Sequence, residues 1–139
     1  MSRRIARQTA LQTLFQLDIA EVKAQPDIDS VLEDRLSQVS LETQDSEYVA
    51  LVVRGVMQHM QELDRWINSC SLDWKVQRLA RVDRNILRLA IFEIRFLEDV
   101  PMKVSVNEAV DLAKRFSDAQ SPKFVNGILG SVVSLSGGD

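Results

Sequence analysis

The stretch from Asp83 to Asp99 constrains the fold more than any other part of this sequence. Its apolar side chains would leave little of a helix circumference polar; they are Ile86, Leu87, Leu89, Ala90, Ile91, Phe92, Ile94, Phe96 and Leu97. A helix that is apolar nearly all round is typical of the buried centre of a helical bundle. Pro101 ends it, because the residue before a proline is pushed out of helical geometry. The sequence therefore predicts a protein built around this helix.

Apolar residues recur at helical spacing along most of the remaining chain, and no segment alternates as a strand would. We expect a first helix over residues 3–20 and a second helix capped by Asp27. A long helical stretch from about residue 43 to residue 70 should bend or break near His59. Together these segments predict an all-α fold of about seven helices.

Two further helices carry start signals. Ser105 is followed three residues later by Glu108, which predicts a capping box for a helix that runs through Phe116. Ser121 followed by Pro122 predicts an N-cap and a first-turn proline for the last helix. We expect that helix to end near residue 136.

The length of 139 residues fits one domain. We expect a single domain over residues 1–136, with an N-terminal bundle at about 3–70 and a C-terminal bundle at about 76–135. The joint at residues 71–75 is too short and too apolar for a flexible linker, so the two bundles should pack together.

The residues that most catalytic and metal sites need are scarce. His59 and Cys70 are the one histidine and the one cysteine, so a zinc site of the Cys/His type cannot form within the chain. No phosphate-binding glycine loop occurs. We therefore expect no enzymatic activity, no metal and no cofactor. The lone cysteine fits a cytoplasmic protein, and the lack of a long apolar run argues against a membrane span.

Basic charge is local, although the net charge is −3. Arg3, Arg4 and Arg7 crowd the start of the first helix, and no acidic residue precedes Asp18. Cations are unfavourable at a helix N-terminus, and a bound phosphate backbone would offset that cost. The alternative is a solvated basic start that pairs with the acidic residues of segment 18–47. Nucleic-acid contact and surface pairing both fit the pattern.

Phe124 is an aromatic residue beside the cationic Lys123. Aromatic rings next to basic side chains can stack on the bases of single-stranded RNA. Phe124 also falls at the spacing of the apolar stripe of the last helix. Its position therefore fits either a stacking residue or a core residue.

Four blocks of sequence, in order, resemble the NusB family of bacterial transcription antitermination factors. They are RRIARQTALQ at 3–12, DRNILRLAIFE at 83–93, PMKVSVNEAVDLAK at 101–114 and SPKFVNGIL at 121–129. The resemblance covers about residues 3–130. It implies an all-helical protein of two packed bundles that binds single-stranded boxA RNA from ribosomal RNA operon leaders. It also implies two protein partners, the ribosomal protein NusE and the RNA polymerase antitermination complex, and no cofactor.

The resemblance also implies roles for individual residues. The family's RNA-binding positions match Arg3, Arg4, Arg7, Lys123, Phe124 and Asn126. The side that faces NusE would include Phe15, Ile19 and Asp83. Asn107 and Glu108 belong to the same family motif, and we interpret both as mainly fold-defining.

Two positions depart from the family pattern. Gln120 stands where an acid often precedes the Ser-Pro-Lys-Phe motif, which would weaken repulsion of RNA phosphate. Gly130 stands where the family usually has Asp. A glycine within a helix costs about 1 kcal/mol, so we expect the last turns to fray.

Other hypotheses stay open at this point. One is a helical protein-interaction adaptor whose basic end has no RNA partner. Another is a fragment of a ribosomal RNA methyltransferase, since NusB-like domains also occur at the N-terminus of such enzymes. Some NusB-like proteins self-associate, so the resemblance allows a homodimer as well as a monomer.

Overall fold

The computed structural model describes residues 2–72 and 74–138, and Met1, Asp73 and Asp139 lie outside the described residues. The predicted domain range and the joint at 71–75 therefore include residues on which the structure is silent. The described elements are α1 (Ser2–Ile19), α2 (Gln25–Ser37), α3 (Thr43–Gln58), α4 (Met60–Cys70), a 3-10 turn (Val76–Arg78), α5 (Arg81–Phe96), α6 (Met102–Phe116) and α7 (Ser121–Leu135). The predicted all-α fold of about seven helices is confirmed.

Helix α5 is the centre of the fold, as its apolar sequence predicted. It is buried from Asn85 through Ile94. It contacts α1, α3, α4, α6 and α7. Burial of the helix from Asn85 to Ile94 follows from its pattern, because a helix with little polar circumference is stable only where other helices surround it.

Polar pairs fix the direction of α1 against α5. Arg7, early in α1, binds Glu93, late in α5. Asp18, late in α1, binds Arg84, early in α5. The two helices are therefore antiparallel. Helix α4 contacts α5 and α7 as well as α3, so the segments before and after the joint share one set of contacts.

Helices α6 and α7 complete the C-terminal half. Ser105, early in α6, donates to Glu93, and Ser117, just after α6, donates to Asp83. Helix α6 is thus antiparallel to α5. Helix α7 then packs along α6 and brings Gly138 against Met102 at the start of α6.

The predicted break near His59 is confirmed. Helix α3 ends at Gln58 and α4 begins at Met60. The His59 ring stacks on Phe96 with the ring centroids 4.4 Å apart. Just before the break, Gly55 makes room for α5, because a Cβ atom there would lie 2.2 Å from the Phe92 ring.

Helix α1 ends through the backbone. Glu21 has a φ of 54°, in the left-handed region. The N–H of Val22 then donates to the carbonyl oxygen of Leu17 at 3.0 Å. This is the closing bond of a Schellman motif, which satisfies a carbonyl that the helix end would otherwise leave free.

The predicted caps of three helices are wrong in detail. Helix α2 begins at Gln25 after Ala24, so Asp27 lies in the first turn and is not the cap. Helix α6 begins at Met102 after Pro101, so Ser105 and Glu108 lie inside it and form no capping box. Their side chains instead reach other helices: the Ser105 hydroxyl donates to Glu93, and Glu108 accepts from Arg4.

The start of α7 also differs from the prediction. Ser121 is the first helical residue, and Asp118 accepts the N–H groups of Gln120 and Ser121 at 3.0 and 3.1 Å. Helix α7 continues through Gly130 to Leu135, and fraying of its last turns stays a prediction. Within residues 2–72 and 74–138, no helix combines the length and the apolarity that crossing a bilayer requires.

Candidate nucleic-acid interface

Arg7, predicted to contact RNA, lies in the core. It is 6% exposed, and its Nε and Nη2 atoms donate to the two carboxylate oxygens of Glu93 at 2.9 and 3.0 Å. Tyr48 and Ser105 donate to the same carboxylate. The expectation of an exposed phosphate contact at Arg7 is therefore corrected, because its guanidinium is committed to a residue 86 positions along the chain.

Neighbouring groups set the protonation states of Arg7 and Tyr48 around Glu93. Burial lowers the pKa of Arg7, but the hydrogen bonds and the charge of Glu93 outweigh it and leave that pKa above its ordinary value. Burial, and then the charge of Glu93, raise the pKa of Tyr48. The cluster thus holds a charged arginine and a neutral phenol around one carboxylate.

Arg3 lies half-buried over the same cluster. Its guanidinium carbon is 4.3 Å from the centroid of the Tyr48 ring, within range of a cation–π contact. Its Nε donates to the buried carboxylate of Asp45 at 3.0 Å. The side chain is still 41% exposed, so Arg3 is both anchored and accessible to a ligand.

Arg4 is the most accessible of the three arginines. Its side chain is 58% exposed. Its Nη2 lies 3.1 Å from Glu108 and 3.2 Å from Asp111, both on α6. The hydrogen bond and charge of Glu108, and the charge of Asp111, raise the pKa of Arg4. Two acids thus hold this cation against the flank of α6 while leaving it open to solvent.

The predicted RNA residues of α7 differ in their surroundings. Lys123 and Asn126 are exposed and three residues apart, so they lie on neighbouring positions of one helix face. Phe124 is half-buried and packs against the core, and it also lines an open groove. Its packing fits a core residue, and the stacking role stays a prediction.

The groove beside α7 has a volume of about 1710 Å³ and is lined by residues of α7 and by residues 69–72, 74 and 78–80. Leu72, Trp74 and Leu135 border it and are 95%, 51% and 67% exposed. Asp83 also lines it but is only 8% exposed. Exposed apolar side chains of this size, grouped along one groove, are typical of a surface that another protein covers.

The three predicted partner residues are not equivalent. Ile19 is 50% exposed, and Phe15 is half-buried one turn away on the same face of α1. Asp83 instead turns its carboxylate into the protein, where it accepts from Ser117 at 2.6 Å and from Ser121 at 3.0 Å. Asp83 therefore connects the start of α5 to the α6–α7 turn.

The predicted RNA residues form two patches and not one cluster. Arg4 lies beside Glu108, in the middle of α6, whereas Ser121 at the start of α7 lies beside Ser117. Glu108 and Ser117 are nine residues apart in sequence, roughly 13 Å along a helix axis. Helix α6 lies between the two patches.

The outward face of α6 was missed in the sequence analysis. Lys103, Asn107 and Lys114 are all exposed. Their spacings of four and seven residues place them on one side of the helix, and that spacing is the signal that sequence reasoning could have used. The structure also adds Asp45, Tyr48 and Asp111, whose contacts with the arginines no sequence spacing reveals. Within the described part of the chain, no group of acidic, histidine or cysteine side chains is arranged to hold a metal ion.

Known proteins resemble this chain in sequence. The model of the NusB family matches residues 4–134. The transcription antitermination protein NusB of Symbiobacterium thermophilum is 49% identical over 141 aligned positions, which cover 96% of this chain and 90% of that protein. The NusB protein of Bacillus subtilis is 42% identical, with 96% of each chain covered.

Solved structures agree with the sequence comparison. A structure of NusB from T. maritima is 31% identical and superposes with a TM-score of 0.85, covering 95% of this chain and 90% of that one. NusB bound to NusE and double-stranded RNA is 28% identical, with a TM-score of 0.82 and coverage of 96% and 97%. The match in sequence and fold over nearly the whole length shows that this chain belongs to the NusB family.

Proposed function

We propose that this chain is a transcription antitermination factor that binds boxA RNA of ribosomal RNA operon leaders together with NusE. The observation that carries the proposal is Arg4, a cation that is 58% exposed yet held in place on the flank of α6. A cation in a fixed position loses little side-chain freedom when a phosphate binds it. RNA backbone contacts are of this kind.

The RNA contacts fall on the two patches. Arg3 and Arg4 bind phosphates at the start of α1, Lys123 binds phosphate at the start of α7, and Asn126 meets base edges there. Phe124 offers the edge of its ring to a base. Arg7 acts as a positioning residue, because it fastens the first turns of α1 to Glu93 in the core. A single strand fits better than a duplex, since bases that stack or bond to side chains must be unpaired.

Exposed apolar surface supports the proposed binding of the second partner, NusE. Ile19 and Phe15 provide one exposed apolar site on α1, and the groove bordered by Leu72 and Trp74 provides another. NusE covers one or both of these surfaces, and the assembly joins the RNA polymerase antitermination complex. The role is one of binding, without catalysis, metal or cofactor, and we place it in the cytoplasm.

The test is a titration of a short single-stranded boxA RNA with and without purified NusE. Matched duplex RNA and a scrambled single strand serve as controls. We expect salt-dependent binding that favours the boxA strand and tightens when NusE is present. Solution mass, measured on the same samples, distinguishes a monomer from a homodimer.

The groove with exposed Leu72 favours one rival, a helical protein-interaction adaptor without specific RNA binding. An adaptor would bind NusE equally well with and without RNA. It would also bind boxA and scrambled strands equally, and that result would replace the RNA-binding proposal.

A further inference from the structure

We propose that the outward face of α6, formed by Lys103, Asn107 and Lys114, is the middle of the RNA path. This proposal rests on the proposed function and extends it. The three residues would carry a single strand from Arg4 at the start of α1 to Lys123 at the start of α7. The sequence resemblance assigned no RNA contact to α6.

The position of α6 supports a strand path between the two patches. Arg4 contacts α6 through Glu108 and Asp111, while α7 packs along the same helix. An α-helix makes one turn every 3.6 residues. With this period, Glu108 and Asp111 lie on one flank of α6, and Val106 and Ala113 lie on the opposite flank. Lys103, Asn107 and Lys114 fall between these flanks and are exposed. A strand that joins the two patches crosses the side of α6 that bears Asn107 and Lys114, and Lys103 extends that side toward the start of the helix.

The charged residues of α6 also favour an RNA contact. The acids Glu108 and Asp111 are both engaged by Arg4 on the α1 side. Among the described residues, no hydrogen bond or ion pair engages Lys103 or Lys114. The outward face of α6 therefore has two lysines without an ion-pair partner among the described residues, and a phosphate backbone has the charge that complements them.

Asn107 adds a neutral polar group to this face of α6. Its side chain is exposed, and within the described chain it makes no hydrogen bond. The structure therefore gives it no fold-defining contact, contrary to our interpretation from sequence. An amide offers a donor and an acceptor side by side, which suits the edge of an unpaired base. We assign the lysines to phosphate binding and Asn107 to base recognition.

The spacing along α6 is compatible with a strand of several nucleotides. Lys103 and Lys114 are eleven residues apart, roughly 16 Å along the helix axis. Two cations at that separation contact different phosphates, so each should contribute its own term to the salt dependence of binding.

The experiment measures the affinity of the full chain for single-stranded boxA RNA over a range of salt concentrations. We compare the wild type with Lys103→Gln/Lys114→Gln and with the control Lys23→Gln/Arg54→Gln, whose exposed cations lie outside α6 and α7. The α6 double variant should reduce the slope of log K against log salt by about 1.4 units. The control should leave the slope unchanged. Circular dichroism checks that each variant folds.

Asn107→Ala supplies an independent readout. It should leave the salt slope unchanged and reduce the preference for boxA over a scrambled strand by about tenfold. Alanine favours helix, so this change preserves α6.

The outcomes separate this proposal from the one on which it rests. If Arg4→Gln/Lys123→Gln reduces the slope but the α6 double variant does not, the strand bypasses α6 and only this inference fails. An equal reduction in the control would also overturn it, because the effect would then be one of net charge. A wild-type chain without salt-dependent RNA binding would overturn both proposals.

Discussion

Arg7 and Glu93 form a buried bidentate ion pair between α1 and α5, with N–O distances of 2.9 and 3.0 Å. Glu93 is 1% exposed and also accepts from Tyr48 and Ser105, so one carboxylate joins four helices. The pair holds the start of α1, and with it Arg3 and Arg4, against the core. The candidate RNA site thus depends on a contact that does not itself touch RNA.

Loss of this carboxylate should be costly. We predict that Glu93→Ala lowers the free energy of unfolding by about 3–5 kcal/mol, because it leaves the charge of Arg7 buried without a partner. The matched control is Asp29→Ala, which removes the exposed partner of Arg54 and should cost less than about 1 kcal/mol. Urea unfolding measures both changes. Equal effects would show that the core pair has no special role.

Tyr48 should resist ionisation. Burial and then the charge of Glu93 raise its pKa above the ordinary value of 10.0, so the folded state binds the phenolic proton more tightly than the unfolded state does. The stabilisation that Tyr48 contributes is fully present below its pKa in the unfolded state. It is lost as the pH rises through its pKa in the folded state. Tyr48 is the one tyrosine, so the phenolate absorbance belongs to it alone. We expect this absorbance to rise only together with alkaline unfolding. A rise near pH 10 in the folded protein would contradict the buried cluster.

Asp18 should make stability fall in acid. Burial raises its pKa, but hydrogen bonds from Arg84 and Asn85 outweigh that effect and leave the pKa below its ordinary value of 3.8. The folded state therefore releases this proton more readily than the unfolded state. The stabilisation is present above the unfolded pKa and is lost as the pH falls through the folded one. Between about pH 5 and pH 3, Asp18→Asn should lose less stability than the wild type. Parallel pH profiles for the two proteins would contradict this assignment.

Gly55 should be sensitive to the smallest substitution. A Cβ atom there would meet the Phe92 ring at 2.2 Å, so Gly55→Ala forces apart α3 and α5. We expect a loss of about 1–3 kcal/mol, the usual cost of overpacking a core. Gly130→Ala is the control, because nothing lies within 4 Å of the added atom. It should stabilise α7 by up to about 1 kcal/mol. Thermal unfolding of both variants tests the pair, and a neutral Gly55→Ala would refute the close contact.

Much of the fold follows from local pattern. The all-round apolar sequence of α5 predicted its central place, and the length of the stretch up to Cys70 predicted the break at His59. The caps were harder, because Ser105 satisfies a capping pattern locally but donates to Glu93, whose position depends on tertiary packing. A local rule cannot rank those two partners.

The candidate site also has features that local spacing predicts and features that depend on tertiary packing. The spacing singled out the arginines and the family resemblance implied their RNA-binding role, which stays a prediction; Arg4 is exposed, as that role requires. Spacing could not reveal that Arg7 turns inward, because its partner lies 86 residues away. The face formed by Lys103, Asn107 and Lys114 was within reach of sequence reasoning. It was overlooked because the motif around Asn107 was attributed to the fold.

The decisive measurement is the salt dependence of boxA binding by Arg4→Gln/Lys123→Gln, since these exposed cations mark the two ends of the proposed path. We expect a slope about 1.4 units shallower than that of the wild type, and an unchanged slope for Lys23→Gln/Arg54→Gln. A folded Arg4→Gln/Lys123→Gln variant with the wild-type slope would contradict it.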